Sequence, residues 1–329
     1  WVSLYLWGIL TGNDTYRDAG VFGFSNEMDA VEQYWFDYDK DNWVKEWPYD
    51  VVGQVYGGIN FYGTFFGGQP LYVYGIQWLP ISEYLTYYGM NQSRCAEIYQ
   101  GLLDDTDKAI EYAAIDAKAE GKSEEEIEKI KNDYTRADTG WQHITWPFLS
   151  QTNAQSAYDK FESNVTNVQV EDRANTLWFI SAMDQLGYRT NDYMVTGNIT
   201  GSVYRKDTNG KTVYTAEVWN ATDKTQTVAI KDKFGKQIGK ANIGAKAFVS
   251  FNIDTEKQFE LTQTATPTVK ATVDKDEVKL TTDAIVDAYT GADSVAFVMI
   301  NSDGKETIKK VTSEGELSHA FSPEATGAY

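Results

Sequence analysis

The feature that most restricts the fold of this chain is a change of period near residue 190. Ahead of it, apolar residues recur at three- and four-residue spacing and nine of the ten tryptophans are found; after it, only Trp219 remains, and apolar and polar residues alternate in short runs. A period of 3.6 places side chains on one face of a helix, and a period of two places them on one face of a strand. The chain is therefore expected to be mainly α, followed by small all-β domains.

Residues 1 to 10, "WVSLYLWGIL", are apolar nearly all round, the mark of a buried helix, with Gly12 and Asn13 as its stop. No initiator Met or signal peptide precedes this helix, which reads as the removal of upstream sequence. From about Asp14 a second helix is expected to carry Phe24, Met28, Val31, Trp35 and Tyr38 on one face. Ser93 is expected to cap a helix bearing Ile98, Leu102, Ala109 and Ala113, and Leu177, Trp178, Ser181 and Leu186 continue the helical theme up to Gly187. The stretch "SEEEIEKIKNDY", residues 123 to 134, opens with a Ser123/Glu126 capping box and is charged almost all round, which predicts a solvated helical insertion.

Past residue 190, Asn209-Gly210 sits between two alternating runs, the strongest short signal for a hairpin. "KFGKQIG" and "AFVSFNI" extend a small β unit over residues 191–262, and "TQTATPT" reads as a linker. Beyond it, "VKATV", "EVKLTT", "SVAFVMI" and "TIKKVT" read as strands, with a second hairpin turn at Asp303-Gly304. Residues 268–329 thus suggest an immunoglobulin-like β-sandwich, an incomplete one because such a domain takes roughly 100 residues. The closing strand is expected where "TGAY" stands.

Charge narrows the range of partners. Asp and Glu total 48 against 29 Lys and Arg, a net charge of -19, which repels nucleic-acid phosphates and anionic lipid. Membrane insertion is not expected, because the uncharged run from Val51 to Ser82 is interrupted by Gly, Gln, Asn and Pro. Two histidines, His143 and His319, and one cysteine form no ligand cluster and no internal disulfide, so a zinc site is not expected. Cys95, in "SRCAEIYQ", reads as a buried helix residue, and the nucleophile-elbow, P-loop and dinucleotide motifs do not occur.

Residues 33 to 50, "QYWFDYDKDNWVKEWPYD", interleave aromatic rings with Asp37, Asp39, Asp41, Glu46 and Asp50. Sugar recognition needs that mixture, since rings stack on the apolar faces of pyranoses while carboxylates hydrogen-bond the hydroxyls. The same residues suit other roles: an Asp-rich loop can hold calcium or form a solvated turn, and aromatics at helical spacing commonly build a core. Gly57, Gly58, Gly63, Gly67, Gly68 and Gly75 break any long helix and predict an irregular or strand-containing excursion between helices, where sites are commonly placed.

These stretches carry a resemblance. "YLWGILTGNDTYRDAGVFGFSNEMDAVEQYW", "EQYWFDYDKDN" and "DVVGQVYGGINFYGTFFGGQPLYVYGIQWLPISEYLTYYG" resemble the C-terminal half of the catalytic module of glycoside hydrolase family 81, the endo-β-1,3-glucanases or laminarinases. The resemblance covers residues 1–190, and the β unit to 262 is similar to that module's tail. It implies part of an (α/α)6 toroid and cleavage of internal β-1,3 bonds with inversion, in which an acid protonates the leaving oxygen, a carboxylate base activates water, and no metal or organic cofactor is needed.

The family pattern places its base in a Ser-rich Glu-x-x-x-Glu stretch ahead of the helix that here begins at Trp1, and its acid, an Asp, further upstream. Neither motif occurs in this chain, so the catalytic carboxylates are expected upstream of Trp1, and this chain alone is expected to be inactive. Three positions depart from the pattern within the motif: Phe65-Phe66 for Trp-Phe, Leu71 for Glu, and Tyr74 for His. The resemblance implies a β-1,3-glucan partner and a substrate wall of Trp35, Asp37, Asp50, Tyr62, Phe66, Tyr72, Tyr74 and Trp78, each of which could instead serve packing. A monomer in a bacterial extracellular or cell-surface setting is expected. The alternatives are a non-catalytic glucan-binding or cell-surface protein and a different toroidal enzyme such as a lyase or exo-glycosidase.

Overall fold

Helix α1 (Val2–Thr11) stops at Gly12, whose φ of +66° is backbone that glycine adopts without strain. The computed structural model describes residues 1–57, 59–253 and 255, and beyond these the strands at 259–263, 269–274, 277–282, 295–300, 306–311 and 318–321. The chain divides into two compact units, Trp1–Tyr5 with Thr15–Arg189 and Leu6–Asp14 with Thr190–Tyr329.

In the first unit, α2 (Asp14–Ala30) runs into a π-helical turn, Val31–Trp35, where the Phe36 amide reaches back to the Val31 carbonyl at 3.3 Å. The wider turn inserts one residue and shifts the helical face. Phe36 is buried, whereas Tyr38, past the helix end and after Asp37 at φ +44°, is exposed, which corrects the expectation that Tyr38 shares the helical face.

A short hairpin, β1 (Gln54–Tyr56) with β2 (Ile59–Phe61), and α3 (Pro70–Gln77) fill the glycine-rich excursion. Pro70 occupies the first turn of α3, where a missing amide hydrogen costs nothing. Helix α4 (Gln92–Ala119) is capped by Asn91, whose Oδ1 accepts the Arg94 amide at 3.2 Å; the expected cap, Ser93, instead donates its hydroxyl to Asn91 at 3.1 Å. Helix α5 (Glu124–Asn132) has the capping box and no buried residue, as its charge pattern predicts.

Helix α6 (Gln142–Asn164) is interrupted at Asn153 (φ -147°, ψ 76°), whose side chain accepts the Ser156 amide at 3.0 Å and starts the second segment. Helix α7 (Arg173–Leu186) ends at Gly187 (φ +81°), before the two-residue strand β3 (Tyr188–Arg189).

The core of this unit is aromatic. Trp78 stacks on Phe148 at 3.9 Å between ring centroids, and Tyr88 meets Phe148 edge-on at 5.1 Å. Leu102 of α4, Ile144 of α6 and Ile180 of α7 are buried as well. Each such side chain contributes about 1.5–3 kcal/mol by leaving water. Cys95 is buried in α4, and burial pushes its thiol up, so it is inert as the sequence suggests.

The second unit is built from β4 (Tyr193–Thr196), β5 (Thr200–Thr208), β6 (Lys211–Trp219), β7 (Gln226–Asp232), β8 (Gln237–Ile243), β9 (Phe248–Asn252) and β10 (Phe259–Gln263). Strands β5, β6 and β9 pair antiparallel, with Asn209 (φ +51°) and Gly210 (φ +76°) forming the predicted turn between β5 and β6. A second sheet has the order β10-β8-β7-β4, antiparallel except for the parallel β8/β10 pair. Alternating residues of the two sheets, among them Val203, Ala216, Val218, Val228, Ile230, Ala241 and Phe251, make one buried cluster, so the sheets pack face to face.

Further on, β11 (Val269–Asp274), β12 (Glu277–Thr282) and β15 (Ser318–Phe321) form an antiparallel sheet, and β13 (Val295–Ile300) pairs with β14 (Glu306–Val311). The Asp303-Gly304 turn, most of the linker and the connections that would make an immunoglobulin-like sandwich lie outside the described residues.

Candidate functional site

A buried carboxylate underlies the glycine-rich segment. Asp105 of α4 is fully buried; its Oδ2 accepts the Asp50 amide and the Tyr74 hydroxyl, each at 2.8 Å, and its Oδ1 accepts Lys108 Nζ at 2.9 Å. Burial pushes its carboxyl above the usual aspartate range, and the hydrogen bonds from Asp50, Lys108 and Tyr74 pull it back. One node thus ties the loop at 50 and helix α3 to helix α4.

Over this node lies a group of rings. Tyr49 and Tyr62 stack at 4.0 Å with 21° between planes, and Trp47 adjoins both at 6.4 and 6.2 Å. The close chain crossing that permits it needs a glycine at 53, where a side chain would strike the Gly63 carbonyl. The Tyr62 hydroxyl is buried with no hydrogen-bond partner among the described residues. Burial, reinforced by Asp105, raises its pKa far above the usual tyrosine value, so it remains a neutral donor.

A second group of rings surrounds Trp141, which precedes α6 in a left-handed conformation (φ +48°, ψ 34°) that costs a non-glycine residue about 1–2 kcal/mol. Phe66 meets its ring edge-on at 5.1 Å, and Tyr72 meets it at 5.0 Å with a 57° tilt. A side-chain carbon at Gly75 would come within 2.6 Å of the same ring. The turn Thr64–Gly67, closed by reciprocal backbone hydrogen bonds of 2.9 and 3.2 Å, holds Phe65 94% and Phe66 53% exposed. Large exposed rings held on a fixed turn can stack on a flat apolar ligand face.

No family model matches the chain. Two curated relatives, each named glucan endo-1,3-beta-D-glucosidase, come from Acetivibrio thermocellus and Thermobifida fusca; each is 24% identical over 233 residues, 70% of this chain. That is 26% of each relative, so the chain spans about a quarter of their length. A solved structure of a glycoside hydrolase family 81 protein from Clostridium thermocellum, a point mutant, matches with a TM-score of 0.58 at 24% identity, covering 77% of this chain and 30% of that one. The resemblance to glycoside hydrolase family 81 holds.

The likeness to the family 81 structure is one of fold, and within it the expected wall residues separate. Phe66 and Tyr72 come together around Trp141, and Tyr62 joins Tyr49 and Trp47. Trp35 is half-buried at the end of the π-turn, its carbonyl accepting the Val52 amide at 3.0 Å, and Asp50 is exposed 3.9 Å from Lys108.

Three expected contacts are corrected. Tyr74 and Trp78 are fully buried and offer no ring to a ligand. Asp37 is buried at φ +44°, and its carboxylate accepts the amides of Asp41, Asn42 and Trp43 at 3.1, 2.9 and 3.3 Å, so it organises its own loop. Leu71, where family 81 has Glu, is wholly buried and packs in the core.

Trp47, Tyr49 and Trp141 adjoin the expected wall residues and are not among them. The first two lie in the aromatic run that suggested sugar binding. Trp141 follows Gly140 at a helix start, a local signal that says nothing of its packing against residues 66 and 72.

Proposed function

We propose that this chain is part of a family 81 endo-β-1,3-glucanase and supplies glucan-binding surface to a helical toroid, with the acid and base contributed from outside the chain. The observation that carries this reading is the coincidence of two things. The aromatic segment 33–82 lies in the region that resembles the family, and within it Phe66 and Tyr72 gather around Trp141 beside Phe65, with Phe65 and Phe66 open to solvent. Their apolar faces suit glucose rings, and the exposed Asp50 carboxylate supplies a polar partner.

In the intact enzyme an acid and a base act across a gap of roughly 6.5–9.5 Å with inversion at the anomeric carbon. The domain arrangement we propose is a toroid portion over 1–190, a closing β unit over 191–262 and an immunoglobulin-like module over 268–329. An extracellular or cell-surface location and action as a monomer complete the reading. The rival reading is a glucan-binding protein without hydrolysis.

Titration of the chain with laminarin, alongside a reducing-sugar assay, tests the proposal. Binding without release of reducing ends is expected from this chain, and hydrolysis once the upstream part is restored. Release of α-anomeric products by the 329-residue chain would overturn the placement of the acid and base. Binding without hydrolysis by the intact protein would favour the rival.

A further inference from the structure

Phe234 is 85% exposed at the turn between β7 and β8, and the turn is rigidly built. Asp232 Oδ1 accepts the amides of Phe234 at 3.0 Å and Lys236 at 2.9 Å, while Gly235 takes φ +83°. The Lys233 amide donates to the Asp192 carbonyl at 2.9 Å, which ties the turn to the chain entering β4. The hydrogen bonds of the turn need no ring at 234, and the ring, with Lys233 Nζ 5.6 Å from its centroid, stays open to a ligand.

Beside Phe234 a cavity of about 350 Å³ is lined by Tyr193, Tyr214, Asp192, Arg205 and Lys233. Asp192 Oδ2 accepts the Tyr214 hydroxyl at 3.0 Å and Arg205 Nη1 at 3.2 Å, and Lys233 Nζ lies 3.9 Å from its Oδ1. Tyr193 meets Tyr214 edge-on at 4.7 Å, and the Arg205 guanidinium lies over the Tyr214 ring at 5.9 Å. Asp232 also lines the pocket, and Arg205 Nε pairs with Asp207 at 3.0 Å, so both cations are already matched by carboxylates. That balance selects neither an anion nor a cation. Rings beside fixed polar groups in a small concavity match a neutral polyhydroxylated ring, and the volume suits one or two sugar units.

We propose that this pocket is a second carbohydrate contact, which holds a neutral polysaccharide to the β unit through stacking on Phe234. That the polysaccharide is a β-1,3-glucan rests on the function proposed above. Affinity electrophoresis of the full chain through gels containing laminarin, hydroxyethylcellulose or no polysaccharide tests both statements separately. Phe234→Ala, at an exposed position, is expected to keep the thermal melt and to weaken retardation by about two- to tenfold in apparent dissociation constant. Phe65→Ala reports on the helical unit.

Retardation by laminarin that falls in Phe234→Ala supports the pocket with its glucan. Retardation by hydroxyethylcellulose alone, lost in Phe234→Ala, supports the pocket and counts against the glucanase reading. Laminarin retardation that falls in Phe65→Ala and is unchanged in Phe234→Ala supports the glucanase reading and overturns the pocket. A parent chain retarded in no gel, or a Phe234→Ala chain that migrates as the parent in all of them, also overturns it.

Discussion

The Tyr74 hydroxyl donates to Asp105 Oδ2 at 2.8 Å, and both side chains are fully buried. A residue at a position that reads as part of a sugar wall is therefore a structural donor, binding α3 to α4. Tyr74→Phe removes that donor without opening a large cavity. It is expected to destabilise the chain by about 1.5–3 kcal/mol, the range for hydrogen bonds to charged groups. Urea denaturation measures this, and laminarin affinity at a temperature where both chains are folded should be unchanged.

Asp105 gives stability a pH dependence of defined sign. Burial raises its carboxyl above the ordinary aspartate range, so the folded chain keeps the proton to higher pH than the unfolded chain does. Its favourable contribution is complete below the ordinary aspartate value and is lost as pH rises through the raised value. The urea midpoint of the parent relative to Asp105→Asn should therefore fall as pH rises from the ordinary aspartate value through the raised one. A difference that grows with pH would mean that Lys108 and the other donors outweigh burial.

Most of what sequence made legible concerns local chemistry. The hairpin at Asn209-Gly210, the Ser123/Glu126 capping box and the helix stop at Gly12 all follow from rules spanning four residues or fewer, and all three are observed. Tyr38 does not share the face of α2 because the helix ends through a π-turn at Trp35, and such a turn has no sequence mark of its own. The site was half legible. Composition located its rings, yet Tyr74 and Trp78 point inward because α3 packs against α4, and Trp141 enters from a segment about 70 residues away. Such pairings depend on tertiary packing, which periodicity does not encode.

Asp37 is expected to matter for order in its loop. Its carboxylate satisfies the amides of Asp41, Asn42 and Trp43, and Asp37→Ala would leave them without that acceptor. We expect a loss of about 1–3 kcal/mol, partly offset by water reaching the exposed amides. Hydrogen exchange at residues 41–43 should quicken strongly while exchange in α4 stays slow. Equal protection in parent and variant would show that the loop is held by other contacts.

Phe65 and Trp141 should respond differently to truncation, because one ring is free and the other is packed. Phe65 is 94% exposed, so Phe65→Ala should change stability by no more than about 0.5 kcal/mol. If its ring stacks on glucan, the same change should weaken laminarin binding by about two- to tenfold. Trp141→Ala removes the partner of Phe66 and Tyr72 and the cover over Gly75, while lowering the cost of the left-handed backbone only slightly. It should lower both the unfolding midpoint and laminarin affinity. Calorimetric titration and thermal melts on the two variants separate the roles. A Phe65→Ala chain that binds laminarin as tightly as the parent would remove the exposed turn from the glucan surface, leaving the Tyr49/Tyr62 group to carry it.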